Sequence, residues 1–214
     1  MTGQDTERHR LKGVLVGALA MAVVVAASNF LVQIPINDLL TWGAFTYPLA
    51  FLVTDLSNRV MGPGAARRVV IAGFVVGILL SAWLASPRIA IASGTAFLTA
   101  QLLDVAVFDR LRARAWWQAP AVSSVVGSAL DTLLFFSLAF APAFAFLGED
   151  ADWATAPVPL LYAGPEVALW VNLAVGDFLV KLAVAAAALV PYRQALRLIA
   201  PPDAPPAAPP GAAH

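Results

Sequence analysis

Six stretches of about 20 mostly apolar residues follow one another along this chain, near Leu11 to Gln33, Thr41 to Val60, Val69 to Ser86, Ile89 to Phe108, Ala119 to Leu147 and Pro165 to Val190. A helix rises about 1.5 Å per residue and a bilayer's hydrocarbon core is about 30 Å thick, so each stretch is long enough to cross it. Lipid offers no partner to backbone N–H and C=O groups, which makes a spanning segment of this length helical. The expected fold class is therefore all-α: a polytopic membrane helical bundle with six transmembrane helices. Composition agrees. Of 214 residues, 60% are hydrophobic and 12% charged, against about 25% charged in an ordinary soluble domain, and the mean hydropathy is +0.79.

Punctuation in the chain sets the expected boundaries. Ser86, Pro87 and Arg88 leave a very short break between the third and fourth stretches. The combined run is about twice what one crossing needs, so two tightly paired antiparallel helices are expected. Pro142 should bend or end the overlong fifth stretch before Gly148. Three regions follow: a polar leader at 1–10, a transmembrane domain at 11–200, and a Pro/Ala-rich tail at 201–214 that is expected to be disordered and is given no function.

Basic residues orient the bundle, because short loops rich in them are poorly translocated. Arg8, Arg10, Lys12, Arg67, Arg68, Arg110, Arg112, Arg114, Arg193 and Arg197 fall on one side of a six-span chain. Asp38, Glu149, Asp150, Asp152 and Glu166 fall on the other, with Arg88 the one candidate base there. Both termini are thus expected in the cytoplasm. A rival reading takes Arg8, Arg10, Lys12 and the apolar run to Ala26-Ala27-Ser28 as a cleaved signal peptide. Cleavage would leave five spans and undo the charge agreement.

Several function classes drop out. Net charge is zero, so no basic excess exists to hold nucleic acid. There are no cysteines, and the two histidines, His9 and His214, lie outside the apolar stretches. Thiolate chemistry, zinc ligation and histidine acid/base catalysis within the membrane are not expected, and no catalytic residue, metal ligand or cofactor is assigned. No phosphate-binding loop of the G-x-x-x-x-G-K-[ST] type occurs, so any ATP dependence would come from a separate ATPase partner.

What remains is polar groups inside the spans. An ionisable side chain at the bilayer centre costs at least about 2.5 to 3.5 kcal/mol, so it normally faces a partner or a wet cavity. The second stretch carries Asp55, Asn58 and Arg59, the fourth Gln101 and Asp104, the fifth Asp131 and Thr132, the sixth Asn172, Asp177 and Lys181. Asp55 with Arg59 and Asp177 with Lys181 are four apart, so each acid can pair along its own helix. Asp104 and Asp131 have no local base. Ser124, Gly127, Ser128 and Asp131 form a ridge at offsets of three, four and seven, pointing into the bundle. Asp131 and Asp177 sit deepest and are the first choices for a central site. Gly73 and Gly77 make a GxxxG that reads as helix packing, and Trp116 with Trp117 as an interfacial belt.

Ordered blocks point further. Ser28-Asn29-Phe30-Leu31-Val32-Gln33 is followed by Thr41-Trp42-Gly43-Ala44-Phe45-Thr46-Tyr47-Pro48, by Thr54-Asp55-Leu56 and Arg59, then by Arg88-Ile89-Ala90 with Ala92-Ser93. Gln101-Leu102-Leu103-Asp104, Trp116-Trp117 with Pro120, and Gly127-Ser128 with Asp131-Thr132 complete them. From about Lys12 to Lys181 the chain resembles the bacterial queuosine precursor transporter family. The resemblance implies an inner-membrane carrier that imports 7-cyano-7-deazaguanine or 7-aminomethyl-7-deazaguanine. The alternative is a substrate-binding membrane subunit that needs an ATPase module. On this reading Asp55, Arg59, Gln101, Asp104, Asp131, Asp177 and Lys181 line one polar cavity, with Asn58, Gln101 or Asn172 donating to the ligand carbonyl. Trp42, Phe45, Tyr47 and Phe135 are the candidate aromatic walls. The short Ser86-Pro87-Arg88 connection departs from some relatives, which have a longer excursion there.

Overall fold

The computed structural model describes residues 3–31, 34–37, 40–84, 86–148 and 152–199. It is a helical bundle of α1 (Gly3–Leu31), α2 (Gly43–Thr46), α3 (Leu49–Met61), α4 (Pro63–Leu84), α5 (Pro87–Leu111), α6 (Gln118–Phe140) and α7 (Leu169–Ile199). Two small antiparallel hairpins, β1 (Pro35–Asn37) with β2 (Leu40–Thr41) and β3 (Pro157–Pro159) with β4 (Glu166–Ala168), lie at one end. The tail at 201–214, Gln33, Asp38, Glu149 and Asp150 lie outside the described residues.

Five helices, α1, α4, α5, α6 and α7, are long and apolar enough to cross a bilayer. The second expected span takes a different form. It is divided into the four residues of α2 and the thirteen of α3, with Tyr47 and Pro48 between them. Backbone angles stay helical through both residues, so the two pieces run on from one another with the regular helical hydrogen bonding interrupted between them. Proline is the cause: it has no N–H to donate back along the helix. At the other end of α3, Gly62 adopts φ +85° and Pro63 opens α4, a turn that only glycine makes without strain.

Other boundaries moved for identifiable reasons. The α4–α5 break is as tight as expected: Ser86 caps α5, accepting from Ile89 N, with Pro87 in the first turn. Helix α6 stops at Phe140, and Pro142 begins a 3-10 turn. The sixth span starts at Leu169 instead of Pro165, because Glu166–Ala168 pairs with Pro157–Pro159. It then continues past Val190, through Pro191, to Ile199. The leader, too, is helical from Gly3.

Helix α5 is the most enclosed of the five long helices and α7 the least. One apolar cluster joins Met21, Val25, Ala50, Val69, Phe97 and Val105. Met21 and Val25 are buried, so α1 packs into the bundle. Gly73 and Gly77 face these two residues, which makes the GxxxG a packing seam between α4 and α1. On α6, a Cβ at Gly127 would stand 2.7 Å from the Phe51 ring, so glycine sets how closely α6 and α3 approach. A second cluster, Phe108, Ala119 and Tyr192, closes the end that bears the arginines.

Candidate substrate cavity and the polar core below it

The polar residues separate into three layers along the bundle. The first lines a cavity of about 360 Å³, within the roughly 300–1,000 Å³ typical of small-molecule sites. It reaches from Leu40 and Leu84, at helix and hairpin ends, inward to Asp131, Asp177 and Lys181. These lie toward the bundle end opposite the arginines, where α5 and α7 begin.

Lys181 organises this layer. Its Nζ donates to Asp131 Oδ2 at 2.7 Å, to Thr132 Oγ1 at 3.0 Å, and pairs with Asp177 Oδ2 at 2.5 Å. The Thr132 hydroxyl passes its own hydrogen to Asp177 Oδ2 at 2.8 Å. The ammonium also lies 5.8 Å from the centroid of the Tyr47 ring. Two acids thus share one base at the cavity wall. The expected Asp177–Lys181 pair is present, and Asp131 finds its base across the bundle.

One wall of the cavity is aromatic and continues along α6 from Asp131 and Thr132. Phe135, Phe136 and Phe140 line the cavity and pack edge-on or tilted, with centroids 5.2 to 6.1 Å apart. Tyr47 stands edge-on to Phe97. Polar groups from α1, α4 and α5 complete the lining: Ser28, Asn29, Ser81 and Ser93. Ser28 donates to Thr46, and Ser81 to Asn29 Oδ1. Of the proposed aromatic walls, Tyr47 and Phe135 are in the cavity, while Trp42 and Phe45 are exposed and outside its lining.

The second layer is dry in the sense that its residues are buried and none of them lines the cavity. Asp55, Asn58, Gln101 and Asp104, all buried, meet between α3 and α5. Thr54 Oγ1 donates to Gln101 Oε1 at 2.6 Å, and Asn58 Nδ2 to Val105 O at 3.0 Å. The Ser123 and Ser124 hydroxyls donate to the two oxygens of Asp55, at 3.0 and 3.3 Å. The Ser124–Asp131 ridge of α6 thus serves two layers, Ser124 the dry one and Asp131 the cavity.

The third layer closes the arginine-bearing end. Arg59 does not turn back to Asp55 as its spacing allows. Its Nε donates to the Tyr192 hydroxyl at 3.0 Å and its Nη1 to Arg112 O at 2.6 Å, with Phe108 under the guanidinium at 5.1 Å. Arg112 in turn donates to the carbonyls of Asn58 and Arg59 and so caps α3. A single cavity lined by all seven expected residues is therefore not what forms. Asp131, Asp177 and Lys181 share one; Asp55, Gln101 and Asp104 lie in the dry layer; Arg59 lies in the seal. Asn172 is elsewhere again, accepting from Leu161 N and holding the loop where Leu161 and Tyr162 take positive φ.

Some participants were not singled out from the sequence. Tyr192 and Ser123 look like ordinary helix residues until α3 docks on them. Phe136 and Phe140 carry a faint signal, the one-turn spacing from Thr132 to Phe136 to Phe140 that puts them on one stripe. Arg88, the expected lone base on the far side, is buried and donates to the carbonyls of Leu138 and Ala141, capping α6.

Comparison with known proteins adds relatives. The family model described as "Putative vitamin uptake transporter" matches residues 41–86 and 81–195. The chain is 38% identical over 159 residues to the queuosine precursor transporter of Escherichia coli K12, covering 63% of this chain and 72% of that one. It is 39% identical over 153 residues to a probable queuosine precursor transporter of Haemophilus influenzae, covering 55% and 65%. A Bacillus subtilis protein of the same description is 28% identical over 191 residues, covering 76% and 74%. No solved structure matches the chain.

Proposed function

We propose that this chain, which belongs to the vitamin uptake transporter family, is a membrane carrier that imports a queuosine precursor, 7-cyano-7-deazaguanine or 7-aminomethyl-7-deazaguanine, across a bacterial inner membrane. The names of its relatives support the substrate class. The observation that carries the reading at the level of chemistry is the cavity whose lining joins Asp131, Lys181 and Asp177 to Phe135, Phe136 and Phe140.

A deazaguanine presents a ring N–H beside an exocyclic amine, a pair that one carboxylate accepts as two charge-assisted hydrogen bonds. The contacts made by Lys181 and Thr132 fall on Oδ2 of Asp131 and Asp177, leaving the Oδ1 atoms for a ligand. The Lys181 ammonium can donate to the ligand carbonyl. Phe135, Phe136 and Phe140 supply apolar area for a flat bicycle.

The three layers fit alternating access. With the arginine-bearing end in the cytoplasm, the cavity faces outward and the Arg59–Tyr192 layer closes the inner side. The transport unit is the bundle within 11–200, and we assign the chain no catalytic step. The test is counterflow: purified protein in liposomes preloaded with unlabelled 7-aminomethyl-7-deazaguanine should take up the labelled compound, and guanosine should not compete. Binding without exchange would replace the carrier with a capture subunit that depends on a partner ATPase.

A further inference from the structure

The dry layer holds two acids and no base. Asp55 on α3 and Asp104 on α5 lie in the layer spanned by the Thr54–Gln101 and Asn58–Val105 hydrogen bonds, which join the same two helices. Asp55 is 1% exposed and Asp104 0%. Among the described residues, neither forms an ion pair: Lys181 is held by Asp131 and Asp177, and Arg59 by Tyr192 and Arg112. Asp55 receives two serine hydroxyls. Both oxygens of Asp104 lack any donor, and Asn58 Oδ1 and Gln101 Nε2, in the same layer, are also without partners.

Two ionised carboxylates buried in one layer without a base repel each other, and an unpaired buried charge costs several kcal/mol. One hydrogen ion between them resolves the conflict, because a carboxyl group is a donor where a carboxylate is only an acceptor. Among the described residues no third acidic, histidine or cysteine side chain joins them to make a metal-binding cluster.

We propose that Asp55 and Asp104 form a proton-binding site that couples substrate import to the pH gradient. The proposal rests on the carrier reading. Along α6, Ser124, bonded to Asp55, is seven residues from Asp131, roughly 10 Å at 1.5 Å per residue. The pair therefore sits between the cavity and the Arg59 seal. A proton taken up from the cavity side keeps α3 against α5; its release to the cytoplasm leaves two like charges that push the helices apart beside the seal. One proton enters and one leaves per cycle, and no covalent bond is made or broken. The groups around the pair are Ser123 and Ser124 from α6, Tyr192 from α7, Gln101 from α5, and Asn58 and Arg59 on α3 itself, with Arg112 just beyond. Asp131, Asp177 and Lys181 lie on the cavity side. Arg67 and Arg68 of α4 and Lys12 of α1 are exposed.

The test uses the purified chain in liposomes with labelled 7-cyano-7-deazaguanine, which is uncharged. An imposed gradient of one pH unit, acid outside, should concentrate the label about tenfold for one proton per substrate, and a protonophore should abolish the effect. Asp104→Asn and Asp55→Asn should lose accumulation yet retain exchange of labelled for unlabelled substrate, since neither residue lines the cavity. Asp104→Glu should restore accumulation. The proposal is overturned if Asp104→Asn accumulates label like the unaltered chain, or if the unaltered chain accumulates it under a sodium gradient and not a pH gradient. Absence of exchange by the unaltered chain would instead overturn the carrier reading itself.

Discussion

Lys181 Nζ lies 2.7 Å from Asp131 Oδ2, an ion pair that ties α7 to α6 across fifty positions of sequence, with both side chains 4% exposed. Such a pair holds the cavity wall in register and presents a carboxyl group where a ligand can use it. Charge-assisted hydrogen bonds contribute about 1.5–3 kcal/mol each. Asp131→Asn should therefore reduce substrate affinity by tenfold or more in equilibrium binding, with near-normal amounts of protein in the membrane. An unchanged affinity would place the ligand elsewhere.

Lys181→Met should behave differently. It leaves Asp131 and Asp177 facing each other without a counter-charge, and breaking a buried pair by removing one partner costs about 3–5 kcal/mol. The variant should melt at lower temperature in detergent. Lys181→Met combined with Asp177→Asn should recover much of that loss, because the repulsion is gone, without recovering transport.

Ala44 belongs to the cavity lining and is only half-buried. Ala44→Trp projects an indole from the wall into the space a substrate needs, while the buried helix seams are untouched. Transport should be lost and thermal stability kept. Normal exchange by this variant would argue that substrate takes another route.

Tyr192→Phe removes the hydroxyl that accepts from Arg59, a hydrogen bond worth about 1.5–3 kcal/mol where one partner is charged. The inner seal should open more often. Since the chain has no cysteine, a lone Ala188→Cys probe reads this directly. Its labelling by an impermeant thiol reagent from the arginine-bearing side should quicken by about tenfold in the Tyr192→Phe background.

Orientation is open to the same chemistry. Arg114 and Phe146 are exposed at opposite ends of the bundle. A cysteine at Arg114 should react only in inverted vesicles, and one at Phe146 only in intact cells. Reactivity of both from one face would contradict a crossing by α6, which lies between them.

Membrane residence, helix type and the inward aim of the Ser124–Asp131 ridge follow from local chain properties: apolar length, helical period and the expense of charge in lipid. Those are written in consecutive residues, so they can be read without coordinates. Asp177 and Lys181 also meet as their four-residue spacing allows. Where a spacing left several partners open, folding chose among them. Arg59 goes to Tyr192 and not to Asp55, and Asp55 goes to Ser123 and Ser124, because the docking of α3 on α6 and α7 brings those groups nearer than a helix's own next turn. The same docking divides the expected cavity into a wet pocket, a dry acid pair and a seal. A one-dimensional pattern records which side chains are polar; which of them share a void depends on how far apart the helices stand, and that is fixed by contacts such as Gly127 against Phe51, whose partners are remote in the chain.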